Sequence, residues 1–257
     1  MIRSLIVGSI ITCIPLLAEA PEKAFYVDLH RISPSFDGHF EGKQDGETIY
    51  LDTKDDLDLV KNSTKIGVDL EYQGPRFGVE FSTDAQDYKG SHYLQRQITV
   101  KGNNYPAGAL VRSDVKIRNY TLNWTIRALK SEQAWLGVDL GARGWDLDLH
   151  ITDDQPLLGN TESSVKISVP IPQVGLSAGF QALEGQIVTR GYFHVMSYRG
   201  ASYQRLGADV RYFPINWLGL RVFADSESLR VPKGSIQDDL ELKLNRSGFG
   251  FGVIARF

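Results

Sequence analysis

The sequence lacks several features on which common protein chemistries depend. It has one cysteine, Cys13, and its formal net charge is only −3. Because Cys13 lies in a predicted signal segment, the mature chain is expected to have no thiol, which excludes disulfides, cysteine nucleophiles and cysteine metal ligands. The five histidines show no metal-ligand spacing, so neither a metal site nor a cofactor is predicted. The small net charge gives no reason to expect nucleic acid as a partner.

Long apolar runs are scarce as well. The run at 5–17 is too short to cross a membrane as a helix, and no later segment resembles a transmembrane helix. It follows a short basic start and precedes small residues, a pattern typical of a secretory signal at residues 1–20. Cleavage is expected after Ala18 or Ala20, which leaves residues 21–257 as one domain.

Apolar residues instead recur at every second position, the period of a β-strand with one apolar face. Ten segments follow this pattern: 25–32, 65–73, 77–83, 115–129, 134–151, 174–182, 187–196, 203–213, 218–227 and 246–257. Tight connectors alternate with mostly long polar ones, as short periplasmic turns alternate with long extracellular loops in outer-membrane barrels. A soluble β-sandwich has no reason to sort its loops in this way. The sequence therefore predicts an all-β fold, a transmembrane antiparallel up-and-down β-barrel of about ten strands.

The last predicted strand carries a resemblance. One of its sides is entirely apolar and holds Phe249, Phe251, Val253, Ala255 and Phe257. A strand that ends on an aromatic residue in this way resembles the terminal insertion signal of bacterial outer-membrane β-barrels. The resemblance implies a location in the bacterial outer membrane, contact with its lipid and lipopolysaccharide, and recognition of Phe257 by the barrel-insertion machinery.

In two of the predicted strands the alternation of apolar residues changes phase. Val115 and Ile117 are out of phase with Leu122 and Trp124, and a similar change of phase occurs within 134–151. We expect either β-bulges near Asn119 and Gly144 or strand extensions above the membrane, where facing matters less.

The inward side of the predicted strands is charged, and seven carboxylates match seven guanidiniums. The predicted lumen residues are Asp28, Asp69, Glu71, Glu80, Asp139, Asp209, Asp225, Arg127, Arg143, Arg190, Arg205, Arg211, Arg221 and Arg256. Two functions agree with such a lumen. The first is a narrow channel for small polar or charged solutes, and the second is a structural barrel plugged by an Arg/carboxylate network.

A third hypothesis is enzymatic. Asp146, Asp148 and His150 alternate near the outer end of the fifth predicted strand, and Asp28 and His30 share a face of the first. Carboxylates and histidines that face one another across a groove can activate a water for peptide hydrolysis. This set is similar to that of the omptin proteases, which are ten-stranded outer-membrane barrels. The similarity covers residue types and strand number alone, so no catalytic residue is carried over.

An internal echo precedes the second and tenth predicted strands. The run Ile-x-Leu-x-x-x-Asp-Asp-Leu at 49–57 is echoed by Asp-Asp-Leu-Glu-Leu at 238–242. The run resembles one found in outer-membrane barrel proteins of proteobacteria, a resemblance that brings no known activity. Its leucines alternate with acids, so each copy is expected to extend a strand above the bilayer beside the first strand. Its acidic pairs are either solvated or bind a divalent cation that bridges lipopolysaccharide phosphates.

Overall fold

The regular structure of the protein is β throughout the described part of its computed structural model, which comprises residues 23–44, 46–59, 61–153, 161–235 and 239–257. The predicted signal segment and Asp238 of the second acidic pair lie outside these residues. No helix in the described part is long and apolar enough to cross a membrane. The strands are β1 (Ala24–Gln44), β2 (Glu47–Asp52), β3 (Lys61–Thr64), β4 (Gly67–Gln73), β5 (Phe77–Tyr93), β6 (Ile98–Val100), β7 (Asn103–Tyr105), β8 (Leu110–Lys130), β9 (Ala134–Asp153), β10 (Glu162–Ala182), β11 (Ile187–Tyr198), β12 (Ala201–Ile215), β13 (Leu218–Val231) and β14 (Leu240–Arg256).

A closed ring of antiparallel strands forms the body of the fold. Going round it, β1, β4, β5 and then β8 to β14 each pair with the next, and β14 returns to pair with β1. The seam extends to the chain end, where the backbone amides of Phe25 and Phe257 each donate to the other residue's carbonyl at 2.9 Å. The connectors at 74–76, 131–133, 183–186 and 216–217 are tight, as predicted. The predicted antiparallel up-and-down barrel is therefore confirmed.

The strands are longer than the alternation of apolar residues indicated. β1 reaches residue 44, and β10 begins at residue 162 rather than 174. Much of the segments predicted as long polar loops is therefore sheet. The loop prediction was wrong there because apolar residues on these extensions face inward, which reverses the pattern that identified the strands.

The barrel thus has two halves that differ in which face is apolar. In the half that ends in the tight turns, which we call the membrane half, apolar side chains such as Leu29, Trp124 and Phe251 point outward and are exposed. In the upper half the apolar side chains are buried inside. They include Val115, Ile117, Trp145, Leu147, Leu149, Val165, Ile167, Leu242 and Leu244.

The two predicted bulges are absent from β8 and β9. The register between these strands is continuous from Val111 to Arg127, through both Asn119 and Gly144, and shifts only between Arg127 and Leu129. The change of phase in the sequence therefore reflects a change of surroundings along a regular strand. This agrees with the second expectation, a strand extension above the membrane.

Three short strands close the upper end of the ring. β2 pairs with the end of β1, β6 pairs with β2, and β7 pairs with β6. The β6–β7 hairpin reaches the top of β10, where the Tyr105 hydroxyl donates to Ser163 Oγ at 2.8 Å and the Ser163 hydroxyl donates to the Val100 carbonyl at 3.0 Å. We call β2, β6 and β7 the lid. Its inward apolar residues, among them Ile49, Leu51 and Ile98, are fully buried on the upper core.

The Ile-x-Leu-x-x-x-Asp-Asp-Leu run builds this lid. Its three apolar residues are fully buried, and Asp56 is buried as well. Arg96 donates to both oxygens of Asp56, at 2.9 and 2.7 Å, and these hydrogen bonds raise the pKa of Arg96 above its usual value. The second acid of the pair is thus a structural partner of Arg96. As predicted, the run lies beside β1, and β14 with Leu240 and Leu242 lies on the other side of β1.

The Asp56→Ala variant is expected to loosen the lid. The backbone amide of Asp52 donates to Asp56 Oδ2 at 2.7 Å. Loss of the carboxylate leaves this amide and Arg96 without their acceptor, which should lower the stability of the lid by about 1–3 kcal/mol. Limited proteolysis of the folded protein should show faster cleavage within 94–109. Asp55 is the exposed neighbour, so Asp55→Ala is the control and should leave the rate unchanged. Equal rates for both variants would contradict the structural role of Asp56.

Candidate functional site

The lumen of the membrane half holds the candidate site. The fourteen residues predicted to line it all lie on the inward side of their strands. Ten of them are buried: Asp28, Asp69, Glu71, Asp139, Arg143, Arg190, Asp209, Arg211, Arg221 and Asp225. Glu80, Arg127, Arg205 and Arg256 are partly buried.

Nine of the side chains in the lumen form one connected set of ion pairs. We call it the central network, and its members are Asp28, Asp69, Glu71, Glu80, Asp209, Arg190, Arg211, Arg221 and His30.

Each guanidinium of the central network bridges two or more carboxylates. Arg221 Nη1 donates to Asp28 Oδ2 at 2.6 Å and to Asp69 Oδ2 at 2.5 Å. Arg211 contacts Asp209 and Glu71, both at 2.7 Å. Arg190 Nη1 lies 2.5 Å from Glu80 and 3.7 Å from Glu71. Buried charges are tolerated in such a hydrogen-bonded arrangement, whereas an unpaired charge would destabilise the fold by several kcal/mol.

A second set of ion pairs lies nearer the lid. We call it the upper quartet, and its members are Asp84, Arg143, Glu227 and Arg246. Arg143 and Arg246 both contact Glu227, with Arg143 Nε at 2.8 Å and Arg246 Nη1 at 2.5 Å. Arg246 Nη2 also contacts Asp84 at 3.0 Å, and the Tyr203 hydroxyl donates to Glu227 Oε2 at 3.0 Å. The side chain of Glu227 is completely buried between its partners.

Sequence reasoning missed three members of the upper quartet, Asp84, Glu227 and Arg246. Glu227 has the same parity as Asp225 on β13, and Arg246 has the same parity as Arg256 on β14. Continuing the period-two alternation toward the upper end of each strand would have placed both inside.

Two further carboxylates have separate partners. Asp139 accepts hydrogen bonds from the hydroxyls of Thr125 and Ser177 at 2.6 and 2.8 Å, and His194 Nε2 lies 2.8 Å from its other oxygen. Asp225 pairs with Arg205 at 3.0 Å.

The remaining two arginines belong to the turn end of the barrel. Arg127 donates to the Gly74 carbonyl at 2.8 Å, and Arg256 donates to the Gly185 and Asn216 carbonyls at 2.7 and 2.8 Å. A cavity of about 40 Å³ lies between them, which is room for one or two waters. These arginines hold the tight turns against the lumen.

The structure does not bring together the residues of the enzymatic hypothesis. Asp146, Asp148 and His150 point to the outside of β9, where His150 Nε2 lies 3.0 Å from Glu162 and Asp148 lies 3.7 Å from Lys166. Asp28 and His30 are buried inside the ring. The barrel wall therefore separates the two groups.

No family model and no curated protein matches this sequence. Among solved structures, the outer membrane protease OmpT from Escherichia coli is similar, with 9% identity, 94% of this chain and 99% of that chain covered, and a TM-score of 0.61. Ail, the attachment invasion locus protein of Yersinia pestis, in complex with the heparin analogue sucrose octasulfate, matches with 14% identity over 92% of this chain and 100% of that chain, and a TM-score of 0.36. The translocator domain of the autotransporter NalP from Neisseria meningitidis matches with 11% identity over 89% and 88%, and a TM-score of 0.40.

The fold is that of the bacterial outer-membrane β-barrels. At 9% identity the likeness to OmpT concerns the fold alone. The belt of outward apolar side chains is this chain's own evidence for its surroundings, because a closed barrel that exposes such a belt requires lipid around it. The protein is thus an outer-membrane β-barrel in both architecture and location.

Proposed function

We propose that the protein is a non-conducting structural barrel, plugged by its Arg/carboxylate network, that anchors the lid and the upper half at the cell surface. The observation that carries this proposal is the filling of the lumen by two successive layers of side chains. Charged groups fill the membrane half, and an apolar core fills the upper half.

The ion pairs support a plug because they cross the lumen. Arg190 on β11 contacts Glu80 on β5, and in the ring these strands are separated by three strands on one side and five on the other. Arg143 on β9 contacts Glu227 on β13 with the same separation. A guanidinium that bridges opposite walls occupies the path that a solute would take.

The apolar core supports the same proposal from the other end. Inward residues of the upper half pack together with the lid, and many of them are fully buried. An apolar constriction of this kind excludes water and therefore ions. A channel would require a continuous polar path through both layers.

Conductance measurements test the proposal. Purified protein inserted in planar bilayers should give no conductance steps, because the apolar core and the ion-pair plug act in series. Correct folding of the sample is checked by electrophoresis, in which the unheated, folded protein should migrate differently from the heated, unfolded protein. Steps from the wild type that change in size when Arg221 or Asp28 is neutralised would favour the channel hypothesis. Asp148→Asn on the outer face is the matched control, since a charge outside the lumen should not affect such steps.

The partners we propose follow from two features, the outward apolar belt of the membrane half and the β1–β14 pairing that closes the ring. Outward apolar side chains would contact outer-membrane lipid and lipopolysaccharide, and Phe257 would be recognised by the barrel-insertion machinery. The position of Phe257 supports its proposed recognition. Its backbone pairs with Phe25 at the β1–β14 seam, while its aromatic side chain is exposed and available to a partner.

A further inference from the structure

Asp28, His30 and Asp69 form a compact buried cluster inside the membrane half. Asp28 and Asp69 are direct cross-strand partners on β1 and β4, and His30 follows two residues later on the same face of β1. His30 Nδ1 lies 3.3 Å from Asp28 Oδ2 and 3.8 Å from Asp69 Oδ2. The exposed fractions of the three side chains are 2% for Asp28, 5% for His30 and 10% for Asp69.

The cluster contains polar atoms without a partner. Asp28 Oδ1, Asp69 Oδ1 and His30 Nδ1 are buried and make no hydrogen bond. Arg221 takes only the Oδ2 atom of each carboxylate. Each aspartate therefore keeps one oxygen for another ligand, and buried atoms of this kind are rarely left unsatisfied.

The spacing of the donors fits a metal ion. One donor atom from each of the three side chains lies within 4.8 Å of the others. Two ligands of a tetrahedral zinc ion, each about 2.0–2.2 Å from the metal, lie about 3.3 Å apart, so three donors that are gathered within 4.8 Å of one another lie near the spacing that the ion requires. An imidazole nitrogen with two carboxylate oxygens is a donor set that zinc accepts, with water in the fourth position.

The charge of the central network points the same way. Five carboxylates face three guanidiniums, and His30 is the remaining member. With a neutral imidazole the ion-paired residues have two excess negative charges in a buried place, which is unfavourable, and Arg127, which lines the same small cavity as Glu71 and Glu80, offsets one of them. The upper quartet, by contrast, has two acids and two guanidiniums. A cation bound among the carboxylates of the central network would offset the remaining negative charge.

Two glycines keep the surroundings of the cluster open. A Cβ atom at Gly67 would collide with the His30 ring, and a Cβ atom at Gly252 would collide with Asp28 Oδ1. These glycines lie on the strands on either side of β1, opposite His30 in both pairings. Any larger residue would displace the donor atoms.

We propose that Asp28, His30 and Asp69 bind one zinc ion inside the barrel. Arg221 is the outer partner that holds the second oxygen of each carboxylate and fixes its orientation. The plug and the lid restrict access to the cluster, so the ion would be taken up while the barrel folds. This site goes beyond the proposed structural function, and either can fail without the other.

Zinc content after refolding tests the site. Denatured full-length mature protein is refolded into detergent micelles with or without zinc chloride, and free metal is then removed by dialysis. The wild type should retain one zinc per chain when zinc is present during refolding, and His30→Gln should bind it at least about 10-fold more weakly. His194→Gln is the matched control, since His194 is also a buried lumen histidine beside an aspartate and should leave the zinc content unchanged.

A second readout distinguishes ligation from a general structural effect. Cobalt in place of zinc should give visible absorption bands in the wild type and in His194→Gln, and these bands should be absent in His30→Gln. If His30→Gln does not fold, Asp69→Asn replaces it in the same measurements. Folded wild-type protein without bound zinc, or equal zinc in the His30 and His194 variants, would overturn the proposal. Retention of calcium or magnesium in place of zinc would also contradict it, because those ions prefer oxygen ligands alone.

Discussion

Replacing Glu227 by alanine is expected to destabilise the barrel by about 3–5 kcal/mol. The side chain is fully buried and accepts hydrogen bonds from Arg143, Arg246 and Tyr203. Its removal leaves two buried guanidiniums without their shared carboxylate, and only Asp84 remains to contact Arg246. Because neither guanidinium can lose its charge, the unpaired charge stays in the interior.

Urea unfolding of the protein in detergent or lipid measures this change. Glu241→Ala is the matched control on the neighbouring strand, since Glu241 is partly exposed and pairs with Lys243 at 2.8 Å. The control should unfold at the same urea concentration as the wild type. A Glu227 variant as stable as the control would mean that the upper quartet is hydrated and that the plug is not closed at this level.

The Leu140→Arg variant is expected to lose about 2–4 kcal/mol of folding free energy in a bilayer. Leu140 is an exposed outward residue of β9 within the apolar belt, between Val138 and Ala142 of the same face. A guanidinium at this position would have to enter hydrocarbon. The expected loss therefore arises from the membrane and not from packing within the protein.

An arginine introduced further along the same face of β9 separates the two causes. Thr152 is an outward, uncharged residue of the upper half, and Thr152→Arg should change stability by less than about 0.5 kcal/mol. Both variants are unfolded by urea from lipid vesicles. Equal effects at the two positions would show that the belt ends elsewhere and that the division into a membrane half and an upper half is wrong.

Much of the ring could be predicted from the sequence because a strand in a membrane barrel has two different surroundings. Leu122 and Trp124 outside and Asn123 and Thr125 inside follow directly from the period of two. The parity of the tight connectors predicted which ends of the strands are joined by short turns. The inward charges could be found by the same rule, because alternate residues of a barrel strand point into the lumen and out toward the lipid.

The upper half could not be predicted in this way. Val115 and Ile117 follow the same period as the residues below them, and their phase by itself left both a bulge and a strand extension above the membrane open. Alternation shows that the two faces of a strand differ in polarity. Above the membrane the outside of the barrel meets water and not lipid, and alternation alone does not show which face then points into the barrel. The lid escaped prediction for a related reason, because β6 and β7 are too short to show a period.

By itself, the sequence determined the period of the strands, the order of short and long connectors, and the residue types on each face, since these depend on neighbouring positions along one chain. The tertiary structure alone decided which charges meet. Arg221 contacts Asp28 and Asp69, which are 193 and 152 residues away, because closing the ring sets the distance across the lumen. Local alternation has no information about that distance, so the ion pairs, the buried Asp28–His30–Asp69 cluster and the closure of the mouth all depend on the ring.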